Sequence, residues 1–167
     1  MNPVNIKALL QKLIDQDVEF ILIGGVAGIA HGSARVTFDL DVVYRRSREN
    51  HERLVAALSP LSPYLRGAPA GLPFRWDVPT IERGLNFTLT TSIGPIDLLG
   101  EVAGGGPYND LLPKAIRAPA FGHTCYVIDL ASLIRTKRAA GRPKDIEAIA
   151  ELELLLERQS QPPPGTP

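Results

Sequence analysis

The short run from Val18 to Ile23, apolar but for Glu19 and closed by Gly24-Gly25, constrains the fold more than any other stretch of the chain. It shows no alternation of apolar and polar residues and stops at a turn, the pattern of a strand covered on both faces. Helices must supply that cover. Ile6, Leu9, Leu10, Leu13 and Ile14 recur at helical spacing and predict an amphipathic helix over residues 4–16. After the glycines, VAGIAHG has the small residues of a short helix packed close to a sheet.

Asp39 to Tyr44 reads as a second strand, and Arg48 to Leu58 as a helix with Leu54, Val55 and Leu58 on one side. Prolines at 60, 63, 69, 73 and 79 make 59–79 a loop, with one brief strand at Phe74-Arg75-Trp76. Leu85 to Thr91 alternates as a half-exposed strand does, and Gly94-Pro95 turns it into Ile96 to Leu99, which predicts a hairpin. Residues 100–124 are rich in glycine and proline and read as loop, before a last strand at Tyr126 to Ile128. Asp129 is placed to cap a helix through Ala140, Gly141 to end it, and Pro143 to open a final helix running to about Glu157. This order predicts an α/β (α+β) domain over 1–157, one mixed β-sheet flanked by helices, followed by a disordered Pro-rich tail at 158–167.

Eighteen basic side chains balance eighteen acidic ones, which argues against a protein whose main task is to coat nucleic acid or an anionic membrane. No run reaches the roughly 18 apolar residues of a membrane span. The amphipathic N-terminus carries Asp15 early, unlike a secretory signal. Cys125 is the sole cysteine, reads as a small buried hydrophobe, and leaves no intramolecular disulfide and no credible zinc site with His31, His51 and His123. The expected setting is the cytoplasm.

Against this ordinary background, Asp39 and Asp41 are anomalous. Residues i and i+2 of a strand point the same way, so the two carboxylates share a face and repel each other at roughly 6 to 7 Å. A hard divalent cation, completed by phosphate oxygens, would offset that repulsion. Asp97 lies between Ile96 and Leu98 on the hairpin strand, which can neighbour strand 39–44, so it is positioned to reach the same cation. Gly24-Gly25 stands where strand gives way to helix, a place suited to an anion, although the dinucleotide and P-loop fingerprints are both missing. Arg35 could reach a phosphate or clamp Asp39, and Thr37 could cap the turn before the acidic strand. His31 fits packing or a hydrogen bond at the helix end.

In this order the segment resembles the nucleotidyltransferase superfamily with a DNA polymerase β-like palm, in which a strand, a glycine turn, a helix, a D-x-D strand and a later Asp form the site. It is most similar to AbiEii-type and related small prokaryotic nucleotidyltransferases: Gly24, Gly25, Ala27, His31, Gly32, Arg35, Thr37, Asp39 and Asp41 keep the register GG-x-A-x-x-x-H-G-x-x-R-x-T-x-D-h-D. IRTKRAAGRPKD looks like the helix-turn-helix such proteins carry, with basic residues toward the triphosphate.

The resemblance implies a nucleotidyltransferase fold and Mg²⁺-dependent transfer of a nucleoside monophosphate from a nucleoside triphosphate to a hydroxyl. Asp39, Asp41 and Asp97 would be the catalytic and metal-binding residues, holding two Mg²⁺ ions, with Mn²⁺ as a substitute. Gly24, Gly25, Arg35, Thr37, Lys137 and Lys144 would bind nucleotide. The acceptor (small molecule, tRNA or protein) stays open, as does a role as one component of a toxin–antitoxin pair, with a protein partner or a second copy. Gly25 stands where many relatives have serine. Two rivals remain: a haloacid-dehalogenase-type phosphatase, disfavoured because Ser33 to Thr37 is no apolar strand, and a non-catalytic scaffold that binds nucleotide or a partner. Lys137, Arg138, Arg142 and Lys144 also fit a solvated helix-turn-helix face, with Asp145 capping or pairing with these cations as readily as touching nucleotide.

Overall fold

The computed structural model describes residues 4–161 and 163–165. The first helix, α1 (Ile6–Asp15), is capped by the Asn5 side chain, which accepts from the Ala8 amide at 2.9 Å, and its stripe of Ile6, Leu9, Leu10 and Leu13 is buried. It leads into β1 (Phe20–Ile23), buried at every residue, as a strand covered on both faces must be. Helix α2 (Gly24–Ala30) begins on the first glycine, without a separating turn.

Strand β2 (Leu40–Tyr44) starts one residue after Asp39, and α3 (Arg48–Leu58) has the expected bounds. The expected loop at 59–79 holds more structure than its prolines suggest. A 3₁₀ turn spans Ser59–Leu61, a strand β3 forms at Tyr64–Leu65 and not at 74–76, and α4 (Val78–Arg83) follows. Pro79 sits in the first turn of α4, where its missing N–H costs nothing, and the Asp77 carboxylate caps that helix by accepting from Thr80. Phe74 and Trp76 instead join Tyr64 and Phe87 in a run of ring contacts with centroids 5.7–6.5 Å apart.

The hairpin forms as expected: β4 (Asn86–Thr90) pairs antiparallel with β5 (Ile96–Leu99). Residues 100–124 are not plain loop. They hold a small ribbon, β6 (Glu101–Val102) with β7 (Gly106–Pro107), a short helix α5 (Tyr108–Leu111), a 3₁₀ turn at 112–114 and strand β8 (Ile116–Ala120). The last strand, β9 (His123–Val127), begins before the expected Tyr126 because it pairs with β8 as a hairpin.

Asp129 caps α6 (Leu130–Ala140), and Gly141 ends it in the left-handed conformation at φ +65°. Helix α7 (Pro143–Ser160) runs three residues past the expected Glu157, so residues 158–160, assigned to a disordered tail, are helical. Residues 162, 166 and 167 of that tail lie outside the described residues.

The main sheet is mixed, in the order β3-β4-β5-β2-β1-β9-β8, with helices flanking it. β1 runs antiparallel to β2 and parallel to β9, and β2 runs parallel to β5. The C-terminal end of β1 therefore meets the N-terminal ends of β2 and β5 at one end of the central strands. Among the described residues no helix is long and apolar enough to cross a membrane.

Candidate active site

At that end the register places Asp41 directly opposite Ile23 on one side and Asp97 on the other. Asp39, just before β2, completes a group of three. One carboxylate oxygen from each of Asp39, Asp41 and Asp97 lies within 4.8 Å of the others. Two neighbouring parallel strands thus do what the sequence alone left conditional, bringing a residue more than fifty positions away onto the acidic pair.

The electrostatics of this group are unfavourable by themselves. Burial, then the charges of Asp39 and Asp97, push the Asp41 pKa up to about 8, and a hydrogen bond between Asp41 and Asp97 adds to the rise, while the Lys137 charge works against it. Asp41 therefore holds a proton near neutral pH unless a cation displaces it. Three hard oxygen donors crowded and part-buried in this way fit a hard divalent cation, which answers the repulsion with charge and coordination together.

The double glycine has a packing reason that the sequence did not disclose. Gly24 has φ +64°, and a Cβ there would lie 2.2 Å from Asp41 Oδ2; a Cβ on Gly25 would lie 2.7 Å from Thr37 Oγ1. Both positions demand glycine so that the α2 backbone can approach the acidic strand. Thr37 Oγ1 donates to the Asp39 carbonyl at 3.1 Å, which makes it the turn-capping residue of the approach to β2.

Gly24, Gly25, Arg35, Thr37, Asp39, Asp41, Lys137 and Lys144 all border one cavity of about 270 Å³, together with Arg142 from the α6–α7 turn. Asp97 is not part of its lining. The cations are not free charges. Asp145 is fully buried and receives Lys137 Nζ at 3.4 Å and Arg142 Nε at 2.6 Å. Burial acts to raise the Asp145 pKa, but the Arg142 hydrogen bond and the Lys137 and Arg142 charges outweigh it and hold the carboxyl below its ordinary value. Asp145 also accepts from the Arg142 amide, closing a cap at the start of α7. Arg35 pairs with Glu147 at 3.5 Å, not with Asp39, and the exposed Lys144 has no ion pair among the described residues.

Several partners were not anticipated. Arg66, after β3, places Nη2 2.8 Å from Asp97 Oδ1 and donates from the same nitrogen to the Leu89 carbonyl at 2.8 Å. Nothing in the Pro-rich stretch signals it, because its reach depends on β3 pairing with β4. Glu151 of α7 accepts from Ser33 Oγ at 2.5 Å and the Ala34 amide at 3.2 Å, tying down the loop before the acidic strand. Glu147 and Glu151, four apart on one helix face, were a readable signal. His31 Nε2 lies 2.7 Å from the Ile128 carbonyl, a structural hydrogen bond, and Cys125 is buried with its pKa raised by that burial.

No family model and no curated protein matches the chain. Its fold is nonetheless that of solved nucleotidyltransferase structures. It is similar to the antibiotic-resistance factor ANT(2'')-Ia, with a TM-score of 0.55 and 15% identity over 89% of this chain and 88% of that one. It is also similar to a candidate nucleotidyltransferase from Thermotoga maritima, with a TM-score of 0.54 and 15% identity over 90% and 94%. At that identity the likeness is one of fold.

Proposed function

We propose that this chain moves a nucleoside monophosphate from a nucleoside triphosphate to a hydroxyl acceptor, with a divalent cation held by Asp39, Asp41 and Asp97. The observation that carries the reading is the convergence of three carboxylates beside a cavity lined by Gly24, Gly25, Lys137, Arg142 and Lys144. Acids alone suit any cation. Acids next to a cationic, glycine-lined cavity suit a polyanion and its metal together.

When bound, the cation would neutralise the carboxylates and polarise phosphoryl oxygens; Mg²⁺ is the ion the resemblance implies, two ions in number, with Mn²⁺ as a substitute. Lys137, Lys144 and the backbone at Gly24-Gly25 would hold the triphosphate, with Arg35 and Thr37 at its border. Asp97, outside the cavity lining, would face the incoming hydroxyl. The acceptor oxygen bonds to the α-phosphorus, the bond to the β-bridging oxygen breaks, pyrophosphate leaves, and the hydroxyl proton passes to Asp97. One catalytic unit over 1–157 would act in the cytoplasm, on its own or, as the resemblance to AbiEii-type enzymes implies, as part of a toxin–antitoxin pair. Its acceptor would be a small molecule, tRNA or protein.

Incubation with α-labelled nucleoside triphosphates, Mg²⁺ and candidate acceptors tests this. Label should move to an acceptor or to the protein itself and should fall on the order of 10³-fold in Asp41→Asn. Tight nucleotide binding with no transfer by the native chain would replace the enzyme with a nucleotide-binding scaffold.

A further inference from the structure

Val36 and Phe38 expose 77% and 75% of their surface, more than any other large apolar side chain among the described residues. They flank Thr37 in the loop joining α2 to β2. That loop is not slack. Ser33 and Ala34 are bonded to Glu151, Arg35 is paired with Glu147, and Thr37 is bonded to the Asp39 carbonyl. A phenyl ring one residue from a metal-binding carboxylate is thus held in water by a tethered backbone, against the hydrophobic preference for burial.

Both side chains border the cavity that also holds the glycine turn, Lys137, Arg142 and Lys144. Its cations and glycine turn make this the side on which the proposed triphosphate would be matched in charge. At about 270 Å³ the cavity falls below the roughly 300–1,000 Å³ usual for a whole drug-sized ligand. A bound nucleotide must therefore extend beyond it, over the exposed rim.

We propose that Phe38 is the stacking platform for the nucleobase of the triphosphate substrate, with Val36 beside it as an apolar edge. This rests on the nucleotidyl-transfer reading. The ring offers a flat apolar face and no hydrogen-bonding group. The nearby polar side chains are already engaged, Ser33 with Glu151 and Thr37 with the Asp39 carbonyl. Recognition by area alone gives a base-tolerant site that favours purines over pyrimidines because they stack more surface.

The test is equilibrium binding, by calorimetry in Mg²⁺, of a non-hydrolysable adenosine triphosphate analogue and of inorganic tripolyphosphate, which lacks a base. Phe38→Ala should weaken the nucleotide about 5- to 100-fold while leaving tripolyphosphate within about twofold, and Phe38→Trp should keep both. If native protein binds both probes and Phe38→Ala binds the nucleotide as well as native, or loses both probes equally, the platform is overturned while the transfer reading stands. If native protein binds neither probe, both fall.

Discussion

On the α6–α7 side of the carboxylate group, Lys137 and Arg142 are held by Asp145 and Arg35 by Glu147, whereas on the β3–β4 side Arg66 sits on the carboxylate group itself. The first arrangement keeps cations beside the cavity without leaving them uncompensated, within reach of a polyanion bound there. The second is fixed: Arg66 is anchored by the Leu89 carbonyl and only about a third exposed, so its charge serves Asp97. Under the proposed transfer reaction the first flank would bind and the second would position, and substitutions on the two should separate substrate affinity from turnover.

The largest effect belongs to the positioning flank. Asp97→Asn should lower transfer on the order of 10³-fold, and Arg66→Met about 10- to 100-fold, the cost typical of losing a residue that orients a ligand. Single-turnover rates at saturating nucleotide measure both, with nucleotide affinity expected to stay within about twofold. The double variant sharpens the comparison. If Arg66 acts through Asp97, adding Arg66→Met to Asp97→Asn costs little more; full additivity would place Arg66 on the acceptor instead.

These two flanks also differ in how far the sequence discloses them. The binding flank rests on local patterns: a strand ended by glycines, aspartates at i and i+2, and a helix pair punctuated by Gly141 and Pro143. Each is set by backbone rules that act over a few residues. Asp97 could be placed because a hairpin with a clear turn carries it beside β2. Arg66 could not, because its position depends on Tyr64 and Leu65 pairing with Thr90 and Leu89, a non-local register in a stretch dominated by prolines. Asp77 capping α4 with Pro79 in its first turn shows the same difficulty, since proline reads as a breaker wherever the cap is not recognised. The glycines were legible as the end of β1, but the close approach of Asp41 and Thr37 that requires them is a tertiary fact.

The scaffold acid of the binding flank carries the next effect, on stability. Asp145 is buried between Lys137, which is mostly covered, and Arg142, which is about half exposed. Removing one partner of a fully buried pair costs about 3–5 kcal/mol; solvent access at Arg142 lowers the expectation for Asp145→Asn to about 2 kcal/mol. Because the folded pKa is depressed, this contribution is present above the unfolded value of about 3.9 and is lost as pH falls through the lower folded value. Urea titrations should show a constant gap between native and Asp145→Asn above about pH 5 that narrows as the pH is lowered further. A gap that widens toward acid would mean that Asp145 is not held by these cations.

Arg35 gives the smallest effect and separates two roles for one side chain. Its bridge to Glu147 joins groups whose side chains are 43% and 71% exposed, so solvent screening leaves the pair worth less than about 0.5 kcal/mol. Arg35→Ala should therefore leave the urea midpoint almost unchanged. Arg35 also borders the cavity, and a guanidinium that leaves an exposed glutamate for a phosphate gives up little. Nucleotide affinity should then fall by roughly a few-fold, with a weaker salt dependence, and Glu147→Gln should raise it slightly by releasing the arginine. If Arg35→Ala costs stability and leaves affinity alone, the arginine belongs to the loop tether with Ser33 and Glu151, and Lys137 and Lys144 must meet the triphosphate without it.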